Sequence, residues 1–455
     1  MWHRLLVLAA TLVPLASFAQ VAIPDTAAGR VLSAWLDAFN SADRARIEAY
    51  VQKHGGPNDT VDSTLGFRNQ TGGFELLGID ASEARSIVYR VKERGSETRG
   101  VGRMVVSSAD PPRVTSSLLR AIPPMATGAA SFQIDAATRN RVIDGAIAKL
   151  RATYVLQDKV EPMVQALLKH RDAGDYNNVA YGDEFAALLT EHLHAVNNDL
   201  HLNVNFSPVP FPPPPAQAPQ PGQAPPPAVI EQMRRQMAQQ NCGFVKVEVL
   251  PGNVGLLKFN MFANPEVCGP TATTAMAFLE NVNALIVDMR DNGGGDPAMV
   301  TYVTSYLFGE RTHLNDLWTR STGDTQEFWT RPELPGKRLP TQPVYVLTSK
   351  RTFSGGEEFT YNLQSLKRAT IVGETTGGGA HPVRGERIDD RFMIGVPFAR
   401  AINPVTKTNW EGTGVRPDVQ VPADQALEKA QELIREAAPP PGPGPQRVPA
   451  PRPGA

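Results

Sequence analysis

The sequence lacks an excess of charge of either sign. Its 455 residues include 45 lysines and arginines and 46 aspartates and glutamates, so the formal net charge is −1. Proteins that bind nucleic acid or anionic membranes through long-range electrostatics usually carry a clear basic surplus. The composition therefore argues against nucleic acid and against a membrane surface as partners.

Cysteine is also scarce. The two cysteines, Cys242 and Cys268, flank a predicted hairpin, whose two strands are joined by a turn at Pro251-Gly252-Asn253. A disulfide between them would stabilise the protein in an oxidising compartment by about 2–4 kcal/mol. Two unpaired buried thiols are the alternative, because spacing alone does not fix a pairing.

The sequence has no apolar run of the roughly 20 residues that a bilayer-spanning helix needs. The apolar stretch at 5–16 is shorter, follows a positively charged start at 1–4 and precedes the small residues Ser17 and Ala19. This pattern is typical of a secretory signal peptide, here at 1–19. We therefore expect a periplasmic or secreted protein without a membrane span.

The patterns change along the chain in a way that predicts several domains. The chain begins with short alternating apolar runs, which are followed by apolar stripes of helical period. Almost wholly apolar runs such as ALIVDMR and PVYVLTS, typical of buried parallel strands, come last. The predicted segments are an α+β domain at 22–125, similar to the nuclear-transport-factor-like fold, a helical bundle at 135–205, a proline-rich linker at 207–240, an α/β domain at 241–437 and a proline-rich disordered tail at 438–455.

The block TFSGGEEF at 352–359 contains a candidate nucleophile, Ser354. It stands between a buried-strand pattern and a helical pattern, so Ser354 would lie at a helix N-terminus, where unpaired N–H groups can stabilise an oxyanion. Gly355 would let a substrate carbonyl approach closely. The same letters also form a capping box, with Ser354 at the N-cap and Glu357 at N3. The block alone does not decide between catalysis and capping.

Three further glycine-containing blocks accompany it: DMRDNGGG at 288–295, GETTGGGAHP at 373–382 and EGTGVRPD at 411–418. Consecutive glycines after a buried strand can form a nest of N–H donors, which would supply the other half of an oxyanion hole. The first block contains neither Gly-Lys-Ser/Thr nor G-x-G-x-x-G, which argues against a phosphate-binding loop.

In this order, the four blocks resemble the tail-specific, or C-terminal processing, protease family. The nearest branch is the one that contains the tricorn protease core and the interphotoreceptor retinoid-binding-protein modules. The resemblance implies the spiral α/β sheet shared with the Clp-protease and crotonase folds, and a peptidase that acts on proteins or peptides without a cofactor. It matches Ser354 to the nucleophile and Gly355, with the amides of Gly293 and Gly294, to the oxyanion hole.

The sequence identifies the general base less directly than the nucleophile. Many members of the family use a lysine in the glycine loop, but the block at 373–382 contains none. The tricorn-like branch instead implies a histidine from the helical region and a glutamate near the C-terminus, which match His201 and Glu411. An imidazole would then take the Ser354 proton while a carboxylate orients it. His381 is the alternative base, and Glu357 is expected to shape the site.

We expect no metal site. His192 and His194 invite such an interpretation, but two positions apart on a helix they face different directions. The sequence thus predicts an exported serine endopeptidase. The alternative is a non-catalytic protein that binds apolar ligands, as the retinoid-binding branch implies. The presence of serine, glycine nest, histidine and glutamate together argues against that alternative.

Overall fold

The computed structural model describes residues 21–57, 59–122, 131–213 and 227–437. The chain divides after residue 131 into two compact units. The predicted signal peptide at 1–19 and the tail at 438–455 lie outside the described residues. Within the described ranges, no helix has the length and apolar character that crossing a bilayer requires.

The N-terminal unit contains three helices followed by an antiparallel meander of four strands in sequential order. The elements are α1 (Ala27–Ser41), α2 (Arg44–His54), α3 (Val61–Thr71), β1 (Phe74–Ser82), β2 (Ser86–Glu93), β3 (Arg99–Val106) and β4 (Val114–Ile122). Thr26 caps α1 by accepting from the backbone N–H of Gly29 at 3.0 Å. The apolar stripe of α1, including Leu32 and Phe39, packs in one core with residues of the meander.

The C-terminal unit begins with three helices and continues with alternating strands and helices. The elements are α4 (Ala136–Thr153), α5 (Gln157–Ala173), α6 (Gly182–Asn197), β5 (Asn203–Phe206), α7 (Pro227–Gln239), β6 (Phe244–Leu250), β7 (Val254–Phe259), α8 (Pro265–Phe278), β8 (Ala284–Asp288), α9 (Pro297–Ser305), β9 (His313–Thr319), β10 (Thr325–Trp329), β11 (Val344–Thr348), α10 (Gly355–Ser365), β12 (Thr370–Gly373), β13 (Val383–Arg387), β14 (Phe392–Pro397), β15 (Ala399–Ile402), β16 (Val419–Gln420) and α11 (Ala426–Ala437).

A six-stranded sheet in the order β16-β12-β11-β8-β7-β6 forms the centre of this unit. All its pairs are parallel except the hairpin of β6 and β7. Every residue of β8 and β11 is buried, as expected for central parallel strands covered on both faces. The predicted hairpin is confirmed, and Gly252 and Asn253 at its turn have φ values of 84° and 58°. The predicted mixed α/β class is confirmed.

Two three-stranded sheets, β10-β9-β15 and β13-β14-β5, complete the unit. Because β5 pairs with β14, the predicted helical bundle and α/β domain share a sheet and belong to one compact unit. The structure also differs from the predicted linker at 207–240. Ser207 and Phe211 donate backbone hydrogen bonds to the carbonyls of Arg391 and Asp390, and the helix α7 occupies much of the linker's second half.

Cys242 and Cys268 form a disulfide, with Cα atoms 5.6 Å apart. It joins the turn before β6 to α8, and both residues are buried in the core of the C-terminal unit. Of the two alternatives drawn from the sequence, the disulfide is therefore the observed one.

Candidate active site

Ser354 lies where the chain leaves β11 and enters α10. It is the N-cap residue of α10 and has φ 53° and ψ −121°, a backbone conformation that is strained for a residue with a side chain. The preceding loop holds this turn against the end of β8. Thr352 donates its hydroxyl to the carbonyl of Met289 at 2.8 Å, and Phe353 donates its N–H to the carbonyl of Asn292 at 3.0 Å. Ser354 is thus fixed beside the first glycine block.

Glu357 connects this turn to the second glycine block. Its Oε2 accepts from the N–H groups of Ser354 at 2.9 Å and Gly379 at 2.8 Å. Its Oε1 accepts from the N–H of Gly378 at 2.6 Å and from the hydroxyl of Thr376 at 2.5 Å. Burial raises the pKa of Glu357, and these four donors counteract that rise. Its carboxylate holds the turn at Ser354 and the glycine loop at 376–379 together.

Two of the three amides predicted for the oxyanion hole donate hydrogen bonds elsewhere. The N–H of Gly293 donates to the carbonyl of Asn260 at 3.0 Å, and the N–H of Gly294 donates to Oδ1 of Asn292 at 2.9 Å. In this conformation neither hydrogen is available to a substrate oxygen.

Gly295, unlike Gly293 and Gly294, has an amide N–H that is free to donate. The hydrogen bonds of the described residues leave the amides of Gly355 and Gly295 without an acceptor, and both residues line the cavity that holds Ser354. The lack of a side chain at Gly294 lets this loop pack closely against Ser354 and Gly355. A Cβ there would lie 2.6 Å from the nitrogen of Gly355 and 2.7 Å from Cβ of Ser354. The geometry therefore favours Gly355 with Gly295 as the pair of donors.

The cavity beside Ser354 has a volume of about 670 Å³. It lies between the start of α10, the glycine blocks at 288–295 and 373–382, and the sheet of β9, β10 and β15. The residues that line it include His201, Gly293, Gly295, Asp296, Leu317, Phe328, Phe353, Ser354, Gly355, Glu358, Gly379, Ala380, Phe398 and Trp410. The structure thus brings His201 and Ser354 to one cavity, although they are far apart in the chain. His381 does not line it.

His201 is buried against Phe353, with the two ring centroids 4.6 Å apart. Neither of its ring nitrogens has a hydrogen-bond partner among the described residues. Burial lowers the pKa of His201 to about 4, so the imidazole is neutral near pH 7. A neutral imidazole is the form that can accept a proton.

Asp199 is a buried acid next to this histidine that the sequence interpretation missed. Its Oδ1 accepts from the backbone N–H of His201 at 3.1 Å, and its Oδ2 accepts from the hydroxyl of Tyr154 at 2.8 Å. Burial acts to raise the pKa of Asp199, but His381 and Tyr154 outweigh it and lower the pKa below its usual value. The pattern Asp-x-His was the only available sign of this residue in the sequence.

Glu411 lies on the other side of the same cluster. Its Oε2 accepts from the N–H of Ala380 at 2.6 Å and lies 3.5 Å from Nδ1 of His381. Burial raises the pKa of Glu411 to about 7. Nδ1 of His381 is also 3.5 Å from Oδ2 of Asp199, so His381 faces both carboxylates.

Ligand atoms of Asp199, His201 and Glu411 all lie within 4.8 Å of one another. Such a group could hold a metal ion. It is also what a proton relay requires, because two carboxyl groups adjoin an imidazole at a cavity that contains a serine. A further buried acid, Glu358, lines the cavity and was not predicted from the sequence.

Comparison with protein families gives two matches. The model of peptidase family S41 matches residues 253–421, and the model of the N-terminal domain of peptidase S41 in eukaryotic IRBP matches residues 136–251. The matched ranges contain every candidate residue described above.

The chain is similar to two curated proteins over part of its length. It is 26% identical over 171 residues to carboxyl-terminal-processing peptidase 2, chloroplastic, of Arabidopsis thaliana, a match that covers 38% of this chain and 32% of the relative. It is 27% identical over 163 residues to the tricorn protease of Thermoplasma volcanium, covering 33% of this chain and 15% of the relative. The chain therefore spans less than a third of the length of these relatives.

Among solved structures, a lipoprotein from Streptococcus agalactiae is similar, with a TM-score of 0.44 and 14% identity. That similarity covers 66% of this chain and 97% of the other.

Proposed function

This chain belongs to peptidase family S41, the tail-specific protease family, and from that premise we propose that it is a serine endopeptidase. Its substrates are proteins or peptides, which it cleaves through an acyl-enzyme on Ser354. One observation carries the proposal: a single cavity is lined by Ser354 at a helix N-terminus, by a neutral buried His201 and by the glycines whose amides are free.

In the first step, Oγ of Ser354 attacks the substrate carbonyl carbon while His201 takes the hydroxyl proton. The carbonyl oxygen becomes an oxyanion and accepts hydrogen bonds from Gly355 and Gly295. When the C–N bond breaks, His201 returns the proton to the leaving amine. Water then attacks the acyl-enzyme, with His201 as the base again, and releases the second product.

The charge on the imidazolium needs a nearby anion. Asp199 is well placed to supply it, because its lowered pKa keeps it ionised at neutral pH and a carboxylate oxygen lies within 4.8 Å of a ring nitrogen of His201. Glu411, whose pKa is about 7, is only partly ionised there. We assign the orienting role to both carboxyl groups and place His381 between them as a bridge, with His201 as the base.

Export is part of the proposal. The N-terminal sequence has the pattern of a signal peptide, and a buried disulfide is a feature of proteins from oxidising compartments. A cytosolic protein in its native host, with both cysteines reduced, would contradict this assignment.

The central experiment compares wild type with Ser354→Ala on casein and with a fluorophosphonate probe. We expect hydrolysis and labelling in wild type and neither in the variant. Labelling should also be lost in His201→Ala and retained in His381→Ala. Equal casein hydrolysis in wild type and Ser354→Ala would refute the nucleophile assignment, and loss of labelling in His381→Ala alone would transfer the base to His381.

A further inference from the structure

Glu358 is a second buried acid in the catalytic cavity that the mechanism above does not use. It lies one helical turn after Ser354 on α10, is 5% exposed and lines the same cavity. Its Oε1 has no hydrogen-bond partner among the described residues. A buried carboxyl group with an open acceptor normally destabilises the folded state. Folding therefore gives no reason for this residue.

Among the residues that the structure describes, no cation compensates Glu358. The charged residue that acts on it is Asp296, which has the same sign and whose own carboxylate accepts from Ala298 at 2.9 Å and Asn264 at 3.1 Å. The buried side-chain amide of Asn315 lies close enough to hydrogen-bond with Glu358 and opposes the rise of its pKa, but it carries no charge. The described residues that line the cavity include no lysine and no arginine. One wall of the substrate cavity thus carries a buried carboxyl group that has no counter-charge among the described residues.

We propose that Glu358 is a substrate-binding residue that accepts the cationic group of a substrate. The group is the ammonium or guanidinium of a basic side chain, or the α-ammonium of a peptide. The inference rests on the proposed function, because it defines the substrate class of that same cavity. A bound cation would favour the ionised form of Glu358, whose open acceptor would then make a charge-assisted hydrogen bond, which is stronger than a neutral one.

The position of Glu358 limits where this cation lies. Glu358 lies in the first turn of the helix that Ser354 caps, and both residues line the same cavity. A cation bound by Glu358 therefore belongs to a residue close to the bond that Ser354 attacks. Aromatic walls from Phe328 and Phe398 are available to cover the methylene stem of a lysine or arginine.

The test measures binding separately from catalysis. Acetylated and amidated heptapeptides carry a single lysine at each position in turn, and matched peptides carry norleucine, which has an uncharged aliphatic side chain in place of the lysine stem and ammonium. Each is titrated calorimetrically into the full-length Ser354→Ala variant and into the same variant with Glu358→Gln. A norleucine peptide with a free N-terminus forms the second arm, which reports on an α-ammonium.

We expect lysine at one position to bind Ser354→Ala at least about tenfold more tightly than norleucine, as a charge-assisted bond at a buried site predicts. In the presence of Glu358→Gln this preference should fall below about twofold. If only the free N-terminus gains affinity, the α-ammonium is the recognised cation, which also supports the inference. Equal affinity for all peptides, or a preference that survives Glu358→Gln, would overturn it.

A second comparison requires no change at Glu358. Glutamate in place of lysine at the selected position should weaken binding to Ser354→Ala below the norleucine value, and equal binding would also overturn the inference. Hydrolysis of the same peptides by the wild-type protein is a separate measurement. If it is absent, the proposed function fails, whereas the preference for a cation in the binding experiment is judged on its own.

Discussion

Adjacent buried glutamates on α10 should respond in opposite ways to the same substitution. Glu357 accepts four hydrogen bonds, two on each carboxylate oxygen, whereas Oε1 of Glu358 accepts none among the described residues. Replacement of either by glutamine preserves the shape and turns one oxygen into an NH₂ group. We expect Glu357→Gln to destabilise the protein and Glu358→Gln to stabilise it at neutral pH, where burial of a carboxyl group with a raised pKa costs the wild type stability.

The size of the destabilisation by Glu357→Gln follows from the number of donors that lose their acceptor. If the new NH₂ faces Thr376 and Gly378, the threonine hydroxyl can rotate, and one buried backbone N–H is left unpaired. If it faces Ser354 and Gly379, two are left unpaired. Because each unpaired buried donor costs about 1–3 kcal/mol, Glu357→Gln should lower the free energy of unfolding by at least about 1–3 kcal/mol.

The pH dependence provides a second readout for Glu358. Burial raises its pKa from the ordinary value of 4.5 to about 8 in the folded state. A carboxyl group with a raised folded-state pKa stabilises the protein fully below pH 4.5, and this contribution is lost as the pH rises towards 8. The stability of Glu358→Gln should therefore fall less between pH 5 and pH 8 than that of the wild type.

The assay is urea unfolding followed by circular dichroism, together with hydrogen exchange of the peptides that cover 355–360 and 376–380. Exchange localises the effect, since the chain contains two compact units that need not unfold together. Faster exchange in Glu357→Gln, but not in Glu358→Gln, is the expected result. Equal destabilisation by the two substitutions at pH 7 would refute this account of their hydrogen bonding.

Three other predictions concern the relay and the disulfide. Because burial lowers the pKa of His201 to about 4, kcat/KM should stay level as the pH falls from 7 to 5 and should decline only near pH 4. A decline near pH 7 would instead indicate that Glu411, with a pKa of about 7, must be ionised. Asp199→Asn should lower kcat/KM by at least about a hundredfold in a peptide assay, and by more than Glu411→Gln, because Asp199 is the ionised partner; the opposite order would assign the charge to the glutamate. Substitution of both Cys242 and Cys268 by alanine opens a cross-link between residues 26 apart and should lower the free energy of unfolding in urea by about 3.5 kcal/mol, so an unchanged midpoint would contradict a stabilising role.

Local patterns in the sequence were sufficient for much of the fold. The runs ALIVDMR and PVYVLTS predicted buried parallel strands, because only a strand covered on both faces is apolar at nearly every position. Pro251-Gly252-Asn253 predicted the turn of the hairpin, since glycine and asparagine tolerate positive φ. The four glycine-containing blocks, taken in order, led to the family that the later comparison supports.

Other features depended on contacts between distant parts of the chain. The pairing of β5 with β14 joins segments almost 190 residues apart, which is why the helical bundle and the α/β domain looked separate in the sequence. Asp199 and Glu411 meet at His381 for the same reason. Only the folded chain shows which residues near the end of the last bundle helix adjoin the glycine loop.

The position of Ser354 between a strand and a helix, among glycine-rich loops, could be read from the sequence, because that information is local. The folded structure was needed to show which glycine amides are free and which acids surround His201. It was needed because a hydrogen bond that one amide has already made, as at Gly293 and Gly294, removes it from the site, and an unpaired group such as Glu358 becomes visible only when all its neighbours are known.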